Sequence, residues 1–328
     1  MSENSKSSGW VGYRPEVKIL DCTVRDGGLI NDHHFEDSFV RGVYDACVAA
    51  GVHYMEIGYK GSKKLFPREE FGDWKFSDED DIRRVIGEND SDMKISVMAD
   101  AEKTDYKEDI LPASESVVDM VRVATYIHQI PIALDMVKDA HDKGYETTVN
   151  IMAASTVHER EMSGALDALA NSEVGTVYVV DSFGSLYSEQ IRDQTKFFLD
   201  KLKPAGKEVG IHAHNNQQLA YANTIESLIA GSNLIDATIN GMGRGAGNCS
   251  LELLIGFLHN PAFRLRPILK CIQQHCLPLL SKMEWGYQVP YLVTGLLNQH
   301  PRSAIKMRGG EERDDYVKFY DEMIDEEA

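Results

Sequence analysis

Eight short runs rich in β-branched and apolar residues recur along this chain, each followed by enough sequence for a helix, and this alternation constrains the fold more than any other feature. The runs are Val17 to Thr23, Tyr54 to Tyr59, Lys94 to Ala99, Met120 to Ala124, Thr147 to Met152, Thr176 to Val180, Val209 to Ala213 and Leu234 to Ile239. Between them apolar residues fall at three- and four-residue spacing, as in Phe39-Val40-Val43-Tyr44-Cys47-Val48 and Leu219-Ala222-Ile225-Leu228-Ile229. That is the period of a helix buried on one face. Eight successive βα units predict an α/β fold, a (β/α)8 TIM barrel, over residues 17 to 260.

The 328 residues exceed the roughly 250 that such a barrel needs. Beyond residue 260 the alternation stops: Pro261 to Lys282 reads as helical, and a second unit opens at Trp285-Gly-Tyr-Gln-Val-Pro-Tyr291 and runs helically from Leu292 to Gln299. Residues 261–310 are therefore expected to form a small helical appendage, 311–328 an acidic solvated helix or frayed tail, and 1–16 an N-terminal segment.

A formal charge of −18 argues against nucleic acid or an anionic membrane as partner, since both require a basic face. Residues 1 to 10 carry no apolar signal region and no run of 18 apolar residues occurs, so a soluble, cytoplasmic protein is expected. The five cysteines form no Cys-x-x-Cys pair, which also fits a reducing compartment.

In barrels of this kind the C-terminal ends of the strands and the loops after them build the active site. Arg25 and Asp26 follow the first strand, Tyr59 and Lys60 the second, Asp181 and Ser182 the sixth, and Asn215 and Asn216 the seventh. Asp181 and Ser182 are thereby candidates to bind substrate. The long loop from Lys60 to Ser77 carries Lys63 and Lys64 as candidate anion-binding cations and reads either as a lid or clamp or as a solvated insertion. His212 and His214, at i and i+2 on the seventh strand, point their imidazoles to one side of the sheet, and Asp26 offers a carboxylate to complete a divalent metal site. Arg25 beside that carboxylate is placed to stabilise an enolate oxyanion.

Three motifs occur in order: Arg25-Asp26-Gly27, His212-x-His214-Asn215 and Gly241-Met-Gly-Arg-Gly-Ala-Gly-Asn248. Together they resemble the metal-dependent barrel lyases of the DRE-TIM metallolyase superfamily, over residues 17 to about 260. The resemblance implies one divalent ion held by Asp26, His212, His214 and, from the Gly-rich segment, Asn248. Mg2+ or Mn2+ is the expected ion because substrate oxygens complete the shell, with Zn2+ or Co2+ as the alternatives that suit imidazoles. It further implies an aldolase-like carbon–carbon lyase acting on a 2-oxo acid or releasing an aldehyde, through a metal-stabilised enolate. A homo-oligomer, and a dehydrogenase subunit as partner, come with the same resemblance. A Gly-x-Gly fingerprint for a dinucleotide is a weaker reading of residues 241–246, because such a fingerprint should open the first βαβ unit rather than follow the last strand.

The strand 7 to helix 8 region is most similar to the 4-hydroxy-2-oxovalerate aldolase branch. That branch implies a catalytic Tyr from the C-terminal helices, here Tyr287, with Tyr291 as the fallback, and a His three residues after the metal Asp, where this chain has Leu29. His33 or His34 is then the expected substitute for the missing base. Glu56 matches an acidic residue on strand 2 of the acyl-CoA branch, yet no Gln of that branch occurs between residues 25 and 40. A Claisen-type acyl-CoA enzyme and a catalytically silent barrel subunit stand as the alternatives. The Arg25-Asp-Gly-Gly28 start and the segments Gly286 to Tyr291 and Asn298-x-His300-Pro301-Arg302 are similar to a further group of aldolase-domain proteins.

Overall fold

The computed structural model describes residues 14–325. Eight parallel strands close into a barrel in sequence order: β1 (Lys18–Asp21), β2 (Tyr54–Tyr59), β3 (Lys94–Asp100), β4 (Met120–Thr125), β5 (Glu146–Ile151), β6 (Thr176–Asp181), β7 (Glu208–Ala213) and β8 (Leu234–Ala237), which pairs back with β1. The expected (β/α)8 architecture is the observed one. β1 ends two residues early because Cys22 hands over to a helical turn, Thr23–Gly27, that carries Arg25 and Asp26.

Alternation along the strands sorts the side chains. Ile19, Ile57, Val97, Val121 and Val123 face outward, where the helices seal them into the main core. Leu20, Tyr54, Met120, Tyr178 and Leu234 fill the barrel itself as an apolar layer. Gly210 on β7 makes room for this layer, since a Cβ there would sit 2.7 Å from the Tyr178 ring. Two residues further along β2, β4 and β8 the inward positions are Glu56, Arg122 and Asp236, all buried. This charged layer lies between the apolar plug and the C-terminal mouth.

The two ends of the loop after β2 are built into the barrel, while its middle, residues 63–65 and 67–70, is exposed. Trp74 and Phe76 are buried, Trp74 Nε1 donates to the Phe35 carbonyl at 3.2 Å, and Lys60 Nζ donates to the Ser77 carbonyl at 2.7 Å. Apolar burial of this kind anchors the segment as a wall of the barrel.

After β8 the chain runs through the helix Leu251–Leu258 into the appendage. The helix expected over Pro261 to Lys282 spans Leu265–Leu279, interrupted by a wide turn at Ile272–Cys276, and packs on the helix Asp37–Ala50. The next helix, Val289–Leu296, stops short of the expected Gln299 because Asn298 takes a left-handed φ of 50°. Arg302–Arg308 and Tyr316–Asp325 follow. The acidic tail is therefore not merely solvated: Phe319 and Met323 of its helix are buried against Tyr291, Val293 and Ala304. Among the described residues no helix is long and apolar enough to cross a membrane.

Candidate active site

Three separate stretches of chain meet at the mouth of the barrel. The turn after β1 brings Asp26, β7 brings His212, and His214 lies one residue past β7 in an isolated antiparallel bridge with Asn248 of the Gly-rich loop. Asp26, His212 and His214 are buried, and each offers a ligand atom within 4.8 Å of the others. The two imidazoles stand edge to face, 5.1 Å apart. His214 Nδ1 is 4.0 Å from Asp26 Oδ2.

The protonation states suit a cation. Burial pushes Asp26 up, but Arg25, His214, His212 and Arg244 outweigh it and hold its carboxyl well below the usual carboxylate range. Burial likewise keeps the His214 imidazole neutral, well below the usual histidine range, despite the attraction of Asp26. His212 Nδ1 meets Asp236 Oδ2 at 2.9 Å, an arrangement that fixes the proton on Nδ1 and leaves Nε2 as the free lone pair. Asn248 Nδ2 donates to Asp26 Oδ2, while Asn248 Oδ1 is buried without a partner. Half a turn of that amide would give the cluster a fourth ligand oxygen. The set of two imidazoles, a carboxylate and an orphaned amide oxygen fits one divalent ion with positions left open.

A second grouping, Cys22, His212 and Asp236, is equally compact. It is the poorer cation site, because Asp236 Oδ2 is already shared by Arg122 Nη2 at 2.6 Å and His212, and burial pushes the Cys22 thiol up.

Arg25 sits at the mouth, not at the barrel bottom. Its Nε donates to Glu56 Oε2 at 2.7 Å and its Nη1 to Asp26 Oδ1 at 2.8 Å, while Nη2 is buried with no partner. Glu56 also accepts from Arg122 Nη1 at 3.2 Å, and Arg122 continues to Asp236. A continuous chain of buried charge thus runs from Arg25 through Glu56, Arg122 and Asp236 to His212. Fully buried pairs of this kind are costly to break from one side, so the chain holds both guanidinium planes and the imidazole in fixed orientations.

Arg25, Asp26, His212 and His214 open into a small cleft at the barrel mouth. Ser182 lines it, and its hydroxyl accepts from the Ala153 N–H at 2.9 Å. Asp181 does not; its carboxylate turns back to accept from the backbone of Ser185 and Leu186, bracing the loop. Lys63 and Lys64 are exposed and pair with Asp78 at 2.8 Å and Asp105 at 3.1 Å, outside the cleft. His34 is exposed, its Nε2 3.2 Å from the Glu70 carbonyl. His33 is buried behind the wall, edge-on to Tyr59 at 5.3 Å, and burial and Lys75 lower it to about 3. Leu29 does line the cleft, where the aldolase branch would have its His.

The appendage reaches the cleft, but not with the expected tyrosine. Tyr287 is 53% exposed and outside it, and Tyr291 is buried in the appendage core. The residue delivered is His300, packed on Phe183 at 5.6 Å. Gly295 makes this approach feasible, since a Cβ there would come within 3.0 Å of Asn216 and 3.3 Å of the Gly184 carbonyl. Asn298 then accepts from Ser185 Oγ at 2.7 Å. Arg122, Asp236, Arg244 and His300 were missed in the sequence. A lone charge inside the apolar runs Met120-Val-Arg-Val123 and Leu234-Ile-Asp-Ala237 was the available signal for the first two.

A family model described as HMGL-like matches residues 16–265. The chain is 30% identical over 245 residues to 4-hydroxy-2-oxovalerate aldolase 2 of Mycolicibacterium smegmatis, covering 74% of this chain and 68% of that one. It is 30% identical over 248 residues to oxaloacetate decarboxylase of Mycobacterium tuberculosis, with 74% and 70% covered. Among solved structures, the N-terminal domain of a Bacteroides vulgatus protein assigned as an aldolase superposes with a TM-score of 0.76 at 29% identity, covering 88% of this chain and 96% of that one. Hydroxymethylglutaryl-CoA lyase from Pseudomonas aeruginosa, at 18% identity and a TM-score of 0.65 over 81% and 94% of the two chains, shares the fold.

Proposed function

We propose, from the premise that this chain belongs to the HMGL-like family, that it is a divalent-metal-dependent carbon–carbon lyase acting on a 2-oxo acid. The observation that carries the reading is the meeting of Asp26, His212 and His214 in one cleft with the unpartnered Nη2 of Arg25. A divalent ion at these ligands, Mg2+ or Mn2+ by preference, supplies Lewis-acid polarisation of the 2-oxo acid. Arg25 aims Nη2–H where negative charge grows as the bond to C3 breaks, and Glu56 and Asp26 hold the guanidinium so that it need not reorganise. Met98, Met152, Val180 and Phe183 make one wall apolar, which strengthens these interactions by keeping water out.

Leu29 at the cleft favours a second reading within the same chemistry. Retro-aldol cleavage needs a base for the hydroxyl proton, whereas loss of CO2 from a 2-oxo acid bearing a β-carboxylate needs none. Decarboxylation thus suits a cleft in which an apolar side chain stands where the aldolase branch has its base. A homo-oligomer, and a dehydrogenase subunit that would remove an aldehyde product, are the partners the aldolase reading implies. The five buried, free cysteines suit a reducing cytosol.

The test is metal analysis together with turnover of a panel of 2-oxo acids, followed by aldehyde and CO2 release. About one ion per chain is expected, lost in His214→Ala with the fold retained. Turnover that survives both chelation and His214→Ala would end this reading.

A further inference from the structure

Arg244 brings a guanidinium to the cleft without a contacting carboxylate of its own; Asp26 acts on it only at a distance. Arg244 lines the cleft, its Nη2 donates to the Ser182 carbonyl at 3.0 Å, and its Nε is buried with no partner at all. Among the described residues it forms no ion pair, whereas Arg25 and Arg122 beside it are each held by two carboxylates. Burial weighs against its charge. A guanidinium partly removed from water gains from an anion that meets it directly. The side chain is not loose either: Gly245 next to it lies against the Tyr291 ring, and its carbonyl accepts from the Gly286 N–H at 3.2 Å, so the appendage clamps the loop.

The charge balance of the site points the same way. Arg25, Arg122 and Arg244 face Asp26, Glu56 and Asp236, which leaves the protein groups neutral in sum. A divalent ion brings two positive charges, and a simple 2-oxo acid returns only one negative. A dianionic substrate closes the balance. His300 stands on the same cleft as a neutral donor: its Nδ1 accepts from the Arg302 N–H at 3.2 Å, which leaves the proton on Nε2.

Resting on the lyase reading above, we propose that the substrate carries a second anionic group, distal to the 2-oxo acid end, and that Arg244 binds it with His300 as an additional donor. The guanidinium fork matches a carboxylate or a phosphate-like group. Arg244 is thus the specificity determinant that separates dianionic from monoanionic 2-oxo acids.

The test is calorimetric binding to the Mn2+-loaded protein of 2-oxobutyrate as the monoanion, oxaloacetate and 2-oxoglutarate as dicarboxylates, and 3-phosphonopyruvate as the phosphonate. Thermal shifts are read in parallel on metal-free protein. Dianions are expected to bind about 10- to 100-fold tighter than the monoanion, as charge-assisted hydrogen bonds at a desolvated site do. In Arg244→Gln that ratio should collapse towards unity, and the thermal shift by dianions of the metal-free protein should vanish. Arg244→Lys, which keeps the charge, serves if the Gln variant does not fold, and should retain part of the preference. The dicarboxylate and phosphonate arms tell which anion is read. Monoanions bound and cleaved as well as dianions, or a preference unchanged in both variants, would overturn the proposal while leaving the lyase reading intact. Metal-loaded protein that binds none of these acids would overturn both.

Discussion

Replacing Asp236 with Asn tests the buried charge chain at its most connected point. One oxygen, Oδ2, meets both His212 Nδ1 at 2.9 Å and Arg122 Nη2 at 2.6 Å, and both partners are donors. An amide of the same shape can keep its oxygen on both donors, with the NH2 where Oδ1 has no partner, but it brings no charge to Arg122 and is a weaker acceptor for the imidazole. The hold on His212 Nδ1 weakens, and with it the orientation of Nε2 towards an ion. Loss of an outer-shell partner of a metal-binding histidine typically lowers affinity about 10- to 100-fold. Stability should fall too: removing one partner of a fully buried ion pair costs about 3–5 kcal/mol, and with Glu56 still paired to Arg122 a loss of about 2–3 kcal/mol is expected. Competition for Mn2+ or Zn2+ against a chromophoric chelator measures the first quantity, and urea denaturation of the metal-free protein the second. Metal affinity within twofold of wild type would refute the idea that Asp236 orients His212 for a cation.

Four further outcomes follow from the same geometry. Cys22→Ser should leave metal binding within about twofold, since the thiol lies outside the Asp26 cluster, whereas loss in Cys22→Ser with none in His214→Ala would move the ion to the cluster with Asp236. Gly243→Ala should abolish metal uptake with little change in melting temperature, because the new methyl would overlap Asn248 Nδ2 and Asp26 Oδ2; unaltered metal content would show that this loop does not border the ion. Arg25→Lys should cost about 10²- to 10³-fold in kcat, because an ammonium cannot hold Glu56 and Asp26 while also reaching the oxyanion, and near-normal turnover would give Arg25 a purely structural role. His33 is held neutral down to about pH 3, while in the unfolded chain it takes up a proton near 6.5; its stabilising contribution is therefore full above pH 6.5 and is lost as pH falls towards 3. His33→Asn, which suits the left-handed φ of 66°, should flatten the decline in urea midpoint over that window, and an unchanged acid limb would contradict the burial of this imidazole.

The barrel and the cluster of Asp26, His212 and His214 are legible in the sequence because their signals are local. Alternation of apolar runs with helical spacing is written into consecutive residues, and the ends of β2 through β7 need no distant partner to be located. Asp26, His212 and His214 are likewise marked by short motifs whose strand order alone sends them to one end of the barrel. Glu56 is marked the same way, but its partners are not. Whether Lys63 and Lys64 reach into the cleft depends on Asp78 and Asp105, which draw them outward, and nothing in the sequence of the loop chooses between an acid on the protein and an acid on a ligand. The appendage shows the same limit more sharply. Its helices could be read, but the choice between Tyr287 and His300 at the mouth is made by Gly295 packing on the Gly184 loop and by Asn298 holding Ser185. Those contacts join residues more than a hundred positions apart in the chain. Side-chain direction on a docked element is set by the surface that it docks on, so tertiary structure alone put His300 and Arg244 on the same cleft as Asp26, His212 and His214 and left Tyr287 in solvent.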